Sequence, residues 1–119
     1  TCMHEFVMSL EQEKEEMDVT AMDIAKALLD HGIHPPTMYF PLIVHEALMV
    51  EPTETESKEN LDELIAVLHE IYETAKRDHE YIRSSPHITM VKRLDEVNAA
   101  RNPKLHYAFG EESAEGEEA

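Results

Sequence analysis

Leu61, Leu64, Ile65, Leu68, Ile71, Tyr72 and Ala75 recur at intervals of three and four residues, a period that an α-helix gathers onto one face. Asp62, Glu63, Glu70 and Glu73 fall on the other side. Lys76 and Arg77 close the run where cations suit the negative end of the helix dipole. Ser57 ends a stretch rich in cap-forming side chains and is the expected N-cap. Such a stripe reads as core contact rather than as a cofactor-binding face.

The rest of the chain is organised around shorter signals. Phe6, Met8 and Leu10 alternate with Glu5 and Ser9, interrupted by Val7, which predicts a half-buried strand over 2–10. Residues 11–18 hold five acids and one lysine and are read as a solvated loop. Thr20 opens a helix, with Asp23 completing a capping box and Ile24, Ala27, Leu28, Leu29 and His31 forming its apolar side. Gly32 is placed to end it in a left-handed conformation. His34-Pro35-Pro36-Thr37 must be extended. A short strand is expected over 38–41, closed by Pro41, and a second over 47–51, ended by Pro52. Whether the two form a hairpin or are merely sheet neighbours stays open. After the long helix, a further turn over 78–83 and a short helix over 94–101 are expected, ended by Pro86 and Pro103 respectively.

The pattern predicts an α+β fold: a small, mainly antiparallel sheet with helices packed on one face. The other face then needs solvent-tolerant side chains or another domain. Residues 1–109 form one domain on this reading, and 110–119 an acidic disordered tail.

Charge narrows the function classes. With 26 acidic and 10 basic residues the formal charge is −16. Phosphate backbones repel such a surface, so no nucleic-acid partner is expected. Solubility explains the bias most simply, with salt adaptation or a basic partner as alternatives. No apolar run approaches the ~18 residues of a membrane-spanning helix, so no membrane role is expected. The single Cys2 excludes an internal disulfide and fits a reducing cytoplasm.

Searching for a self-contained site returns little. Eight histidines invite a metal, yet His4-Glu5, His45-Glu46 and His69-Glu70 are followed by Met8, Met49 and Glu73 where a zinc-protease motif needs its second histidine. Gly32 and the prolines separate His31 from His34. Cys2 and His4 share a strand face but lack a third group to orient them. Gly32, Gly110 and Gly116 are isolated, which excludes a glycine-rich phosphate loop. The seven methionines read as core filler. No catalytic residue, cofactor ligand or metal ligand is assigned on these grounds.

Five strings, in order and at familiar spacing, resemble the C-terminal domain of glycine dehydrogenase P-proteins. They are Cys2-Met3-His4-Glu5-Phe6-Val7, then Asp23 to Asp30 with Gly32, then His34-Pro35-Pro36-Thr37-Met38. Ala47-Leu48-Met49-Val50-Glu51-Pro52-Thr53-Glu54 follows, and Ser85-Pro86-His87 with 91–97 is similar to subunit 2 of the two-subunit form. The resemblance runs from Cys2 to Tyr107. It implies the small domain of an aspartate-aminotransferase-type enzyme that decarboxylates glycine with pyridoxal phosphate and passes the aminomethyl group to the lipoyl arm of the H-protein. It further implies three partners: the large domain of the same chain, glycine dehydrogenase subunit 1 and the lipoylated H-protein. The cofactor lysine of that family belongs to the large domain. None of Lys14, Lys26, Lys58, Lys76, Lys92 and Lys104 sits in its motif, so the chain by itself is expected to be inactive. His4 and Glu5, at the family's domain entry, are the candidates for facing substrate or the domain interface. An apolar patch where the large domain would sit is also expected. The alternative is a stand-alone acidic interaction module using the long-helix stripe as its binding face.

The coding sequence upstream of Thr1 separates these readings. Several hundred further residues containing a pyridoxal-type lysine motif are expected; a reading frame opening at or just before Thr1 would exclude the enzyme reading.

Overall fold

The computed structural model describes residues 2–107, so the tail expected over 110–119 lies outside the described residues. The elements are β1 (Phe6–Ser9), α1 (Glu11–Met17), α2 (Ala21–Asp30), β2 (Thr37–Met38), β3 (Ala47–Val50), α3 (Lys58–Arg77), α4 (His79–Arg83) and α5 (Glu96–Arg101). β3 lies between β1 and β2, antiparallel to both. The α+β class stands, and β2 and β3 form a hairpin with a wide loop.

Register decides what the sheet buries. Met8, Leu48 and Met38 lie opposite one another in one row, and Leu48 is fully buried with both methionines packed against the core. Val7, Met49 and Thr37 form the next row, and side chains alternate faces along a strand. That row faces away from the core, with Val7 and Thr37 exposed.

Thr20 caps α2 as expected. Its Oγ1 accepts from the Asp23 N–H at 3.2 Å, and the Asp23 carboxylate accepts from the Thr20 N–H at 2.8 Å. Ala21, Ile24, Ala25, Ala27 and Leu28 are buried, whereas His31 is exposed, since it already stands beyond the last helical turn as C-cap. Gly32 follows at φ +71°, a conformation that suits a residue without Cβ.

Ser57 caps α3 by accepting from the Asn60 N–H at 3.2 Å. Val67, Ile71 and Ala75 are the buried residues of this helix, with Leu64 and Leu68 beside them. The true stripe is therefore rotated from the expected one: Ile65 is 66% exposed and Tyr72 38%. Tyr72 instead carries the Lys76 ammonium 4.2 Å above its ring. At Asp78 the chain leaves helical geometry (φ −150°), and its side chain caps α4 through the Tyr81 N–H. α3 and α4 are two helices rather than one continued turn.

Other expectations are corrected. Residues 11–18 are not a loop: Glu11–Met17 is helical, with no buried residue. Glu, Gln, Lys and Met are good helix formers, so a segment can be solvated and helical together. Gln12 bonds Glu16 across one turn at 2.8 Å. Lys14 pairs with Asp18, and that hydrogen bond, reinforced by the Lys14 and Arg83 charges, holds the Asp18 carboxyl below its usual range. The strand expected over 38–41 ends at Met38, because Tyr39 turns out of the β region at φ 56°. Met3 and Met90 are fully exposed rather than core filler. α5 begins at Glu96, its N-cap Asp95 accepting from the Asn98 N–H at 2.9 Å.

After α4 the chain returns as a strap along α2, held by two carboxylates. Asp30 accepts from the His87 N–H at 2.7 Å and the Ile88 N–H at 2.8 Å. Asp23, only 7% exposed, receives the Arg93 guanidinium, which also donates to the Arg83 carbonyl at 2.8 Å and to the Ser85 carbonyl. Ser85 and Pro86 are buried beneath it, and the His87 ring stacks on Tyr81 at 4.2 Å. Among the described residues no helix is long and apolar enough to cross a membrane.

Two substitutions measure these contributions by urea unfolding. Leu28→Ala, at a fully buried site, should cost about 2–5 kcal/mol. Arg93→Ala should cost about 1–3 kcal/mol by leaving the Asp23 carboxylate short of a partner. An unchanged midpoint for Arg93→Ala would show that the strap adds no stability.

Candidate functional site

β1 enters the sheet beside the point where β3 leaves it. Because Phe6 pairs with Val50, the residues just outside the ladder, Glu5 and Glu51, become neighbours. His4 Nε2 is in direct contact with a Glu5 carboxylate oxygen. One donor atom from each of His4, Glu5 and Glu51 lies within 4.8 Å of the others. Structure thus brings the two sequence candidates together and adds a third residue. Glu51 stood in a family-like string, but its proximity to His4 depends on a register that no local pattern reveals.

The cluster has mixed character. The imidazole can donate or accept a hydrogen bond toward its neighbours, and the carboxylates favour a cationic group. Among the described residues this is the one grouping of three His, Cys, Asp or Glu donors close enough to share an ion. His4 and Glu51 are exposed and Glu5 half-buried, so competing water weakens any ion they would hold, and geometry alone assigns no metal. Cys2 is exposed.

Glu51 also belongs to a cleft of about 670 Å³ between residues 32–37, residues 50–53 and the first half of α3. Met8, Leu28, Leu64 and Leu68 contribute apolar lining; Glu56 and Glu63 join Glu51 among its acids, with His34 nearby in the chain. No lysine or arginine lines it. Three carboxylates repel a phosphate, and no amine is available to condense with an aldehyde. Lys14, Lys58 and Lys76 are paired with Asp18, Asp62 and Glu73 on exposed helix faces, and Lys92 donates to the His87 carbonyl. This cleft does not fit pyridoxal phosphate.

A second unusual feature lies at the opposite end of the sheet. The loop between β2 and β3 is bracketed by Tyr39 (φ 56°) and Glu46 (φ 48°). Left-handed backbone at non-glycine residues is strained and persists where surrounding contacts enforce it. Here the Glu46 carboxylate accepts from the Ala21 N–H at 2.7 Å, and the Glu46 carbonyl accepts from the Leu10 N–H at 3.0 Å. Ser9 Oγ donates to the His45 carbonyl at 2.8 Å.

The chain is similar to known proteins over most of its length. A family model described as glycine dehydrogenase, C-terminal domain, matches residues 1–93. A probable glycine dehydrogenase (decarboxylating) subunit 2 from Thermosipho melanesiensis is 56% identical over 111 residues, covering 93% of this chain and 23% of that protein. Its counterpart from Treponema denticola is 57% identical over 106 residues, covering 89% and 22%. That from Kosmotoga olearia is 53% identical over 106 residues, with the same coverages of 89% and 22%. The chain therefore spans less than a quarter of the length of these relatives.

If the cluster serves a site rather than the fold, removing it should barely affect stability. His4→Ala and Glu51→Gln are each expected to change unfolding free energy by no more than about 0.5 kcal/mol, as for exposed positions generally. A loss of several times that would make the cluster structural.

Proposed function

The chain belongs to the glycine dehydrogenase C-terminal domain family, and from that membership we propose that it forms the C-terminal domain of a decarboxylating glycine dehydrogenase subunit 2. The carrying observation is the match over residues 1–93, with identities above one half to relatives bearing that name. This reading is favoured over a stand-alone acidic module because those relatives carry the matching stretch as part of a much longer chain.

On this reading the whole enzyme is the cytoplasmic P-protein of glycine cleavage. Subunit 1 completes it, and the lipoylated H-protein accepts the aminomethyl group. Pyridoxal phosphate, when bound, supplies an electron sink for loss of the glycine carboxylate. The cleft lined by Glu51, Glu56 and Glu63 does not suit it, so the cofactor is assigned to the larger part of the protein. The domain's own contribution lies at its entry. His4, Glu5 and Glu51 converge where β1 begins, so a domain joined there meets them first. We assign them a positioning role: the carboxylates orient the imidazole and hold it beside the substrate-bearing surface, where it can exchange a proton.

The test uses the full protein with subunit 1 and lipoylated H-protein, following glycine-dependent release of carbon dioxide. Glu51→Gln and His4→Gln should each lower turnover by about 10²-fold, with an altered pH profile and an unchanged melting temperature. Wild-type turnover and profile in both variants would remove the cluster from the mechanism. This chain on its own, mixed with pyridoxal phosphate, should yield no stoichiometric borohydride-reducible adduct on a single lysine; finding one would move the cofactor site into it.

A further inference from the structure

The cleft between residues 32–37, residues 50–53 and the first half of α3 divides its chemistry by depth. Its deep side is apolar: Leu28 is fully buried, and Met8, Leu64 and Leu68 pack against the core. Leu61 continues that row toward the start of α3, and seven positions of helix carry it about 10 Å from Leu68. The rim is acidic, with Glu51, Glu56 and Glu63 all exposed. Among the described residues none of these three carboxylates forms an ion pair with a lysine or arginine. Glu56 accepts from the neutral Asn60 amide at 2.9 Å. Pro35, Pro36 and Pro52 also line the cleft and carry no N–H that would meet an anion.

These features select a cation and decide its shape. A wholly apolar ligand would cover the leucines and leave the rim charge without a counterpart. A compact metal ion fits no better. Among the described residues the grouping of three donors close enough to share an ion is His4, Glu5 and Glu51, and neither Glu56 nor Glu63 belongs to it. Glu51 comes from the exit of β3, Glu56 from the residue before the α3 cap and Glu63 from the second turn of α3. Carboxylates held apart over an apolar floor match positive charges held apart on one apolar chain. The volume of about 670 Å³ is within the range of about 300–1,000 Å³ usual for small-molecule sites.

We propose that this cleft binds an aliphatic polyamine, its ammonium groups at the Glu51, Glu56 and Glu63 rim and its methylenes along the Leu61–Leu68 row. Such a site goes beyond the proposed decarboxylation and makes or breaks no covalent bond.

Equilibrium dialysis of the full-length protein with subunit 1 against α,ω-diamines tests it, at about 0.15 M salt, where the general field of the acidic chain is screened within about 8 Å. Two diamines of equal charge and unequal length separate the apolar floor from charge alone. 1,8-Diaminooctane should bind at one site per copy of this chain, about tenfold or more tighter than 1,3-diaminopropane, because its extra methylenes leave water for the leucine row. Glu56→Gln and Glu63→Gln should each weaken it about two- to fivefold, the range of exposed ion pairs. Glu70→Gln removes the same charge from exposed α3 surface outside the cleft and should leave binding unchanged. Equal affinity for the two diamines, or equal weakening by Glu70→Gln and Glu63→Gln, would reduce the effect to general attraction by an acidic surface and overturn the proposal. So would the absence of saturable binding at millimolar diamine.

Discussion

Everything in this domain refers back to α2, and α2 depends on its carboxylate partners. Asp23 serves three groups: the Thr20 N–H, the Thr20 hydroxyl at 2.7 Å and the Arg93 guanidinium. Glu46 satisfies the Ala21 N–H, one of the donors that a helix start leaves without an intrahelical partner. Helix N-termini favour negative charge, so two acids meeting there are both accommodated. Asp30 sits at the less favourable end, where the dipole repels a carboxylate, and is compensated by backbone N–H groups of the strap. Without α2, the β2–β3 loop and the strap lose these anchors, and Leu48 loses part of its packing against Leu28 and Ile24 in the common core.

Local signals read well from sequence where the cause was itself local. Thr20 with Asp23, Ser57 as a cap, Gly32 as a terminator and the alternation around Met8 each depend on neighbours within a few residues. Residues 11–18 are polar yet helical over Glu11–Met17, because helix propensity is independent of burial. On α3, Ile65 and Val67 are both apolar, and only packing against the rest of the domain decides that Val67 is covered and Ile65 is not. The strap's anchors were out of reach, since Asp30 and His87 are 57 positions apart.

The candidate site divides in the same way. His4 and Glu5 are adjacent in sequence and could be singled out at the domain entry. Glu51 joins them only through the β1–β3 register, a long-range pairing. The strained pair Tyr39 and Glu46 left no sequence trace, since neither residue type favours a left-handed backbone and their conformations answer to contacts with Ala47 and Ala21. The cleft was equally invisible, being assembled from a proline-rich segment, a strand exit and a helix face.

The two strap anchors on α2 are separated by seven residues, two full turns. A helix advances about 1.5 Å and turns about 100° per residue, so Asp23 and Asp30 point in nearly the same direction, about 10 Å apart. Inserting or deleting one residue between them would swing one carboxylate a quarter-turn or more away from the strap. The interval acts as a fixed ruler, and relatives that differ in length here must place the difference elsewhere. The loop between Tyr39 and Glu46 can absorb it, because its bonds to the body of the domain are made at Tyr39, His45 and Glu46, near its two ends. Length variation concentrated in that loop, with the Asp23 to Asp30 interval constant, is the pattern this geometry imposes on its descendants.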